Sequence, residues 1–235
     1  MWRFSRKKQE TVAIIFDEHR VTLSWITHES KTKHPHLNAH KTIALSPCEM
    51  LSGIIYNPTK LKKIITDFLT RYNLAHADIS FIIPTDIVPE EYYKVSTDTL
   101  NENLTSLFND KFWDYRYLCP SIDQDGFVVY ACGLKREHLF QYQLFALFCN
   151  VKLRTITNHT TTLLTLYKQL HGAAFRQTQL STDLNNHDYN LNSYFTSDSI
   201  ARSMRVHPEI DICWEQDYKN LACALGLFFS TNGLS

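Results

Sequence analysis

Val12-Ala-Ile-Ile-Phe16, Asp17-Glu-His-Arg20 and Val21-Thr-Leu-Ser-Trp-Ile26 read together as a buried strand, a tight turn and a second strand. A turn that cradles phosphate needs glycine, so that backbone N–H groups can approach the phosphate oxygens closely. This turn has no glycine, and it places two carboxylates, Asp17 and Glu18, where an anion would sit. The hairpin therefore predicts the opening of a sheet whose turn does not bind nucleotide.

Outward from the hairpin, a third strand is predicted at about 40–45, after a long polar connection over 27–39. Pro58 opens a helix to about Tyr72, with Leu61, Ile64, Ile65, Phe68, Leu69 and Tyr72 on one face. Ile79-Ser-Phe-Ile-Ile83 reads as a buried strand stopped by Pro84. The first 84 residues thus predict β-β-β-α-β, an α/β layer. From Pro84 to Pro89 the chain leaves that sheet for a smaller α+β unit. Its expected parts are a strand from Tyr92 to Thr97, a helix from Leu100 to Trp113, and strands at Tyr115–Leu118 and Phe127–Cys132 across the turn Asp123-Gln-Asp-Gly126. A helix follows from Arg136 to Cys149, then a strand from Val151 to Ile156. Asn158 caps a helix from His159 to Leu170 that Gly172 ends. Residues 173–207 are rich in Asn, Ser, Thr, Gln and Asp and predict a long polar surface excursion with at most two short elements. Structure resumes at Ile210–Trp214, and a last helix spans about Asp217 to Ser230.

Composition narrows the function. With 24 basic and 24 acidic residues the formal charge is zero, so no global field draws the 235-residue chain to nucleic acid. Arg3, Arg6, Lys7 and Lys8 form one basic cluster at the start of the chain, read as a solvated tail in preference to a contact with anionic lipid. No apolar run reaches the ~18 residues needed to span a bilayer. The six cysteines are scattered without a C-x-x-C pair, and several in apolar runs read as reduced core residues. Only six glycines occur, none in G-x-G spacing, so a dinucleotide fingerprint and a P-loop are both absent.

The order of elements resembles PilM, the actin-like cytoplasmic protein of type IV pilus assembly, and its short relative HofM. The resemblance lies in the hairpin at 12–26, where the family has its first phosphate loop, and in the helix from Leu61 leading to Phe81-Ile-Ile-Pro84. It continues through Val128-Val-Tyr-Ala131 with the helix from Lys135 and the Val151 strand, and ends in Ala222-Cys-Ala-Leu-Gly226-Leu. It implies an α/β, actin-like (RNase H-like) sheet domain over 9–86 and 151–235. A small inserted α+β subdomain would span 87–150, with the second nucleotide-binding lobe missing or reduced. Where nucleotide-binding relatives carry Asp-x-Gly, this chain has Ile15 and Asp17. The resemblance therefore implies a non-catalytic scaffold with no cofactor, a pseudo-ATPase peripheral on the cytoplasmic face of the inner membrane. Its partner would be a PilN-like bitopic protein, held by its N-terminal tail, in a pilus, competence or secretion machine. In the family a groove between large and small subdomains takes that tail; here Pro84, Ile87, Tyr92, Tyr93 and Trp113 are its candidate residues.

Other chemistries leave weaker marks. His28, His34, His36 and His40 cluster with Glu29, conceivable as a metal site, but the stretch reads as a solvated loop. A metal-dependent nuclease on an RNase H-like fold would use Asp17, Asp86, Glu90 or Glu91, and a later Asp, yet its first strand carries an Asp inside the strand where Ile14 and Ile15 stand here. An actin-like ATP-binding protein with unusual loops, and the cytoplasmic domain of a type II secretion scaffold, complete the alternatives. No serine or cysteine sits in a recognisable nucleophile context, so no catalytic residue is nominated.

Overall fold

The computed structural model describes residues 9–28, 34–84, 87–88, 90–95, 111–120, 127–172 and 191–232. The opening hairpin forms as read: β1 (Gln9–Asp17) and β2 (Arg20–His28) pair antiparallel with Asp17 opposite Arg20. β3 is His36–Ala44, so it starts four residues before its predicted position. Its apolar residues in this polar stretch are Leu37 and Ala39, both buried, and a register shift against Trp25 and Ile26 places them in the core clusters on opposite faces of the sheet, so no period-2 pattern marks the strand. His36 and His40 are therefore strand residues and not members of a solvated loop.

Next come a two-residue hairpin, β4 (Met50–Leu51) and β5 (Ile54–Ile55), and helix α1 (Pro58–Arg71). The hairpin was not anticipated, although Ser52-Gly53 is a turn signal. Both residues take positive φ, 46° and 75°, as a primed two-residue turn requires. β6 (Asp78–Ile83) then runs parallel to β1. Three strands follow, β7 (Glu90–Val95), β8 (Lys111–Pro120) and β9 (Phe127–Lys135), in a separate antiparallel sheet of order β7-β9-β8. The predicted helix over 100–113 is corrected at its end: Lys111 to Trp113 belong to β8, whose alternating aromatics suit a strand. Residues 96–110 and the turn at 123–126 lie outside the described residues.

Helix α2 (Arg136–Cys149), ended by Asn150 in the left-handed region, leads to β10 (Lys152–Asn158) and helix α3 (His159–His171). Asn158 caps α3 through Thr161 N–H, and Gly172 ends it, both as read from the sequence. Of the polar stretch 173–207, residues 191–206 form structure. A 3-10 turn (Leu191–Tyr194), helix α4 (Ser197–Ser203) and β11 (Arg205–Val206) bring Leu191, Phe195, Ile200 and Met204 into the core. Four buried apolar residues spaced through polar neighbours suffice to anchor it; residues 173–190 lie outside the described residues. Helix α5 (Trp214–Thr231) closes the chain, starting three residues earlier than predicted.

The large sheet has the order β10-β6-β1-β2-β3-β11. Alternate side chains of β1 divide its two faces: Val12, Ile14 and Phe16 pack with α1 and α2, and Ala13 and Ile15 with α3 and α5. Tyr92, Val128 and Tyr130 of the small sheet join the second cluster. Helices α3 and α5 touch at Gly226, where an added Cβ would lie 1.9 Å from the Thr162 carbonyl oxygen. Only glycine fits there.

Candidate functional site

β1, β6 and β10 run parallel, so Asp17, Ile83 and Asn158 all lie at one end of the sheet. The carboxyl ends of parallel strands are where α/β sheets bind ligands. Two features occupy this end, the β1–β2 turn and a cleft.

At the turn, Asp17 Oδ1 accepts the Glu18 N–H at 2.8 Å and Oδ2 meets Arg20 Nε at 3.2 Å. The His19 carbonyl accepts the Leu45 N–H at 2.7 Å. The first N–H that could face a phosphate is thus already held by a carboxylate of the same chain. Arg20 balances the Asp17 charge, which makes the turn self-contained more than repulsive. Ile15, at the position where a metal- or phosphate-facing Asp would stand, is fully buried among aliphatic side chains.

The cleft has a volume of about 180 Å³ and lies where the small sheet meets the large one. Ile83 of β6, Val88, Leu134 of β9, Leu139 of α2 and Ile156 of β10 make its apolar walls. Thr157, Asn158 and Thr161 supply polar groups, and Cys132 and Gly133 form the β9 side. Among the described residues, none that lines it is charged. Such a lining binds by apolar contact with a few orienting hydrogen bonds; the described lining residues carry no carboxylate, imidazole or amine.

Behind the cleft a polar cluster joins the two sheets. Asn158 Oδ1 accepts Thr161 N–H at 2.7 Å while its Nδ2 donates to the Tyr130 hydroxyl at 2.6 Å. Thr160 Oγ1 donates to Glu90 Oε1 at 2.9 Å. Burial pushes the Glu90 carboxyl above its ordinary value, against the hydrogen bonds from Thr160 and Tyr130. Burial, reinforced by the Glu90 charge, likewise keeps the Tyr130 phenol protonated. These bonds fix how the small sheet sits on α3, and hence the shape of the cleft.

Of the residues predicted for the groove, Pro84, Ile87 and Tyr92 fall around this site without lining it. Pro84 and Ile87 are core: their side-chain carbons lie 2.9 Å from where a Gly53 Cβ would be, so they pack on the β4–β5 hairpin. Tyr142 of α2 fixes that hairpin by donating to the Gly53 carbonyl at 2.8 Å. Tyr92 is buried, its ring 5.2 Å from Tyr130. Tyr93 lies in β7 opposite Val129, and Trp113 in β8 opposite Gly133; their side chains lie outside the description. Val88, Cys132, Leu134, Leu139 and Thr157 were missed. Only Val88, next to the chosen Ile87, was within reach of the sequence signal.

Of the other candidates, His40 is enclosed, bonded through Nδ1 to Ser24 Oγ at 3.0 Å and 3.5 Å from Asp217 Oδ1 through Nε2. Among the described residues no three His, Cys, Asp or Glu side chains gather as a metal site. Glu90 is committed to Thr160, and Asp86 lies outside the described residues. Cys149 and Cys223, which stand in apolar runs, are buried as read, while Cys48 and Cys213 are exposed.

Neither a family model nor a curated protein sequence matches the chain. Among solved structures, the chain is similar to one of the PilM-PilN type IV pilus biogenesis complex, at 12% identity and a TM-score of 0.54, over 67% of this chain and 50% of that one. The fold is actin-like. This chain spans half the length of that structure. The cytoplasmic domain of EpsL, an inner membrane component of the Vibrio cholerae type II secretion system, aligns at 8% identity and a TM-score of 0.40 over 65% of this chain and 58% of that one. RuvC of Thermus thermophilus aligns at 10% and 0.40 over 95% and 96%. Among the described residues no helix is long and apolar enough to cross a membrane.

Proposed function

We propose that this chain is a non-catalytic adaptor of a type IV pilus, competence or secretion machine. In this reading it holds the N-terminal tail of a PilN-like bitopic inner-membrane protein in the cleft between its two sheets. The observation that carries the reading is the cleft itself: a slot at the carboxyl end of the parallel strands whose described lining is mainly apolar and uncharged. The self-satisfied turn beside it supports binding without nucleotide. The likeness to a structure of the PilM-PilN complex supports the class of partner.

β10 suits an extended guest. It ends the large sheet, pairing among the described residues with β6 alone. Its first half carries Lys152, Arg154 and a register shift between Leu153 and Thr155, devices that discourage strand addition. Its second half, Thr155–Asn158, is regular and leads into the cleft. A tail added along that half would gain main-chain hydrogen bonds and place alternate side chains in the slot.

The test is fluorescence anisotropy with the labelled N-terminal peptide of the PilN-like protein from the same genome. Saturable binding that Thr157→Arg weakens at least tenfold, in a variant whose melting is unchanged, is expected. Absence of binding at millimolar peptide, or indifference to Thr157→Arg, would sink the proposal.

A further inference from the structure

Helix α2 presents to solvent a face that soluble proteins normally cover. Phe140, Leu144, Leu147 and Phe148 are 57%, 62%, 73% and 44% exposed. Their i, i+4, i+7, i+8 spacing makes one continuous stripe. The opposite face of the same helix, with Tyr142, Phe145, Ala146 and Cys149, is buried in the core, so the stripe is a second apolar face. From Leu139 to Asn150 the helix carries no charged residue. Charge appears only at the margins: exposed Arg136 and Glu137 at the stripe's start, Glu137 4.0 Å from the Lys135 ammonium, and the Lys62 ammonium 4.4 Å from the Phe148 ring at its end.

We infer that this face pairs with the same face of a second copy of the chain, antiparallel, about a two-fold axis at Leu144. Phe140 and Phe148 are equidistant in sequence from Leu144, so the rotation sets Phe140 of one copy against Phe148 of the other and Leu144 against itself. The same rotation brings Glu137 of each copy toward Lys62 of its mate, opposite charge to opposite charge. A parallel pairing sets Glu137 against Glu137 and aligns the helix dipoles unfavourably. The pattern is therefore self-complementary in one orientation, as an isologous contact must be.

Area sets the strength. The four side chains leave roughly 400 Å² open per copy, taking about 150–250 Å² for a complete aromatic. The pair then removes about 800 Å² of apolar surface, short of the roughly 1,200–2,000 Å² of stable complexes. A reversible dimer is expected, forming between roughly 10 and 500 μM, a range reached where copies are concentrated on one assembly.

Sedimentation velocity of the full chain across that range tests the inference, with Leu144→Arg as the disrupting variant. Because Leu144 is exposed, the variant should melt as the wild type does while remaining monomeric. In a Cys48→Ser/Cys213→Ser background, Leu144→Cys should form a disulfide-linked dimer under mild oxidation, and Lys63→Cys, on the exposed side of α1, should not. A chain monomeric throughout the range overturns the inference, as does a dimer indifferent to Leu144→Arg. Flotation with vesicles of phosphatidylcholine and phosphatidylglycerol that Leu144→Arg abolishes, from a protein that stays monomeric, also overturns it and assigns the face to a bilayer. None of these readouts involves the cleft, so the result is independent of the proposed tail binding.

Discussion

Gly226→Ala is the sharpest test of the packing that shapes the site. An alanine Cβ would lie 1.9 Å from the Thr162 carbonyl oxygen, 2.7 Å from its carbonyl carbon and 3.3 Å from Leu166 Cβ. The first two contacts are backbone on backbone, so no rotamer change relieves them, and α3 and α5 must separate by roughly an ångström or more. A radial gap of about 0.5–1 Å forfeits a quarter to a half of each dispersion contact across it. The facing residues include Leu163, Leu166, Leu225 and Cys223, all in one buried cluster. Overpacking costs about 1–3 kcal/mol in ordinary cores and more where nothing can yield, so about 3–4 kcal/mol is expected here. Alanine returns about 1 kcal/mol of helix propensity, leaving a net loss of about 2–3 kcal/mol. At about 2–4 °C per kcal/mol for a chain of this size, the melting temperature should fall by about 4–12 °C, with a matching loss in urea unfolding. Because α3 begins at the cleft, tail-peptide affinity should fall as well. A neutral or stabilising alanine, showing the propensity gain alone, would refute the close approach of the two helices.

Asp217→Asn should destabilise by about 1–3 kcal/mol near pH 7, since the buried His40 ring loses its ionic neighbour. The imidazole of His40, then the Thr42 hydroxyl, hold the Asp217 carboxyl below its ordinary value of 3.8. That stability is present above pH 3.8 and lost as pH falls through the lower folded value; melting curves should show the acid dependence in wild type and not in the asparagine variant. Glu90 has the opposite sign: burial raises its carboxyl, so its stabilising contribution is full below its ordinary 4.5 and lost as pH rises through the folded value. Glu90→Gln keeps an acceptor for Thr160 and should match wild type at pH 4 while exceeding it at pH 8, by the same melts. Calorimetry with ATP and Mg²⁺ at millimolar nucleotide should give no binding heat, because the Asp17 carboxylate already holds the turn's N–H. Saturable heat would return the chain to the nucleotide-binding class.

The fold was legible where local chemistry and long-range packing agree. Asn158 and Gly172 mark the ends of α3 because a cap and a stop act within one turn of the residues they satisfy. The β1–β2 hairpin and the α1–β6 unit announce themselves by unbroken apolar periodicity. β3 was harder, for its buried residues are only Leu37 and Ala39 among polar ones. In 191–206, Phe195, Ile200 and Met204 stand too far apart to give a period. At the site, the sequence pointed to the junction after Pro84 but not to the cleft. Five elements, from Ile83 to Thr161, supply its lining, and which side chain faces it depends on how the small sheet sits on α3. Pro84 and Ile87 have the right composition for a groove, yet the unanticipated hairpin at Ser52-Gly53 covers them. Neither that hairpin nor the docking set by Tyr130, Asn158 and Glu90 is local in sequence.

The central claim, that the cleft between the sheets receives an extended tail, is tested most directly by photocrosslinking. A PilN-like tail peptide carrying benzoylphenylalanine would be irradiated with the full chain and the adducts mapped by mass spectrometry. The account predicts adducts at Val88, Cys132–Leu134, Leu139 and Ile156–Thr161, competed away by unlabelled peptide. Competed adducts confined to other surfaces, such as the β1–β2 turn or the outer face of α2, would contradict it.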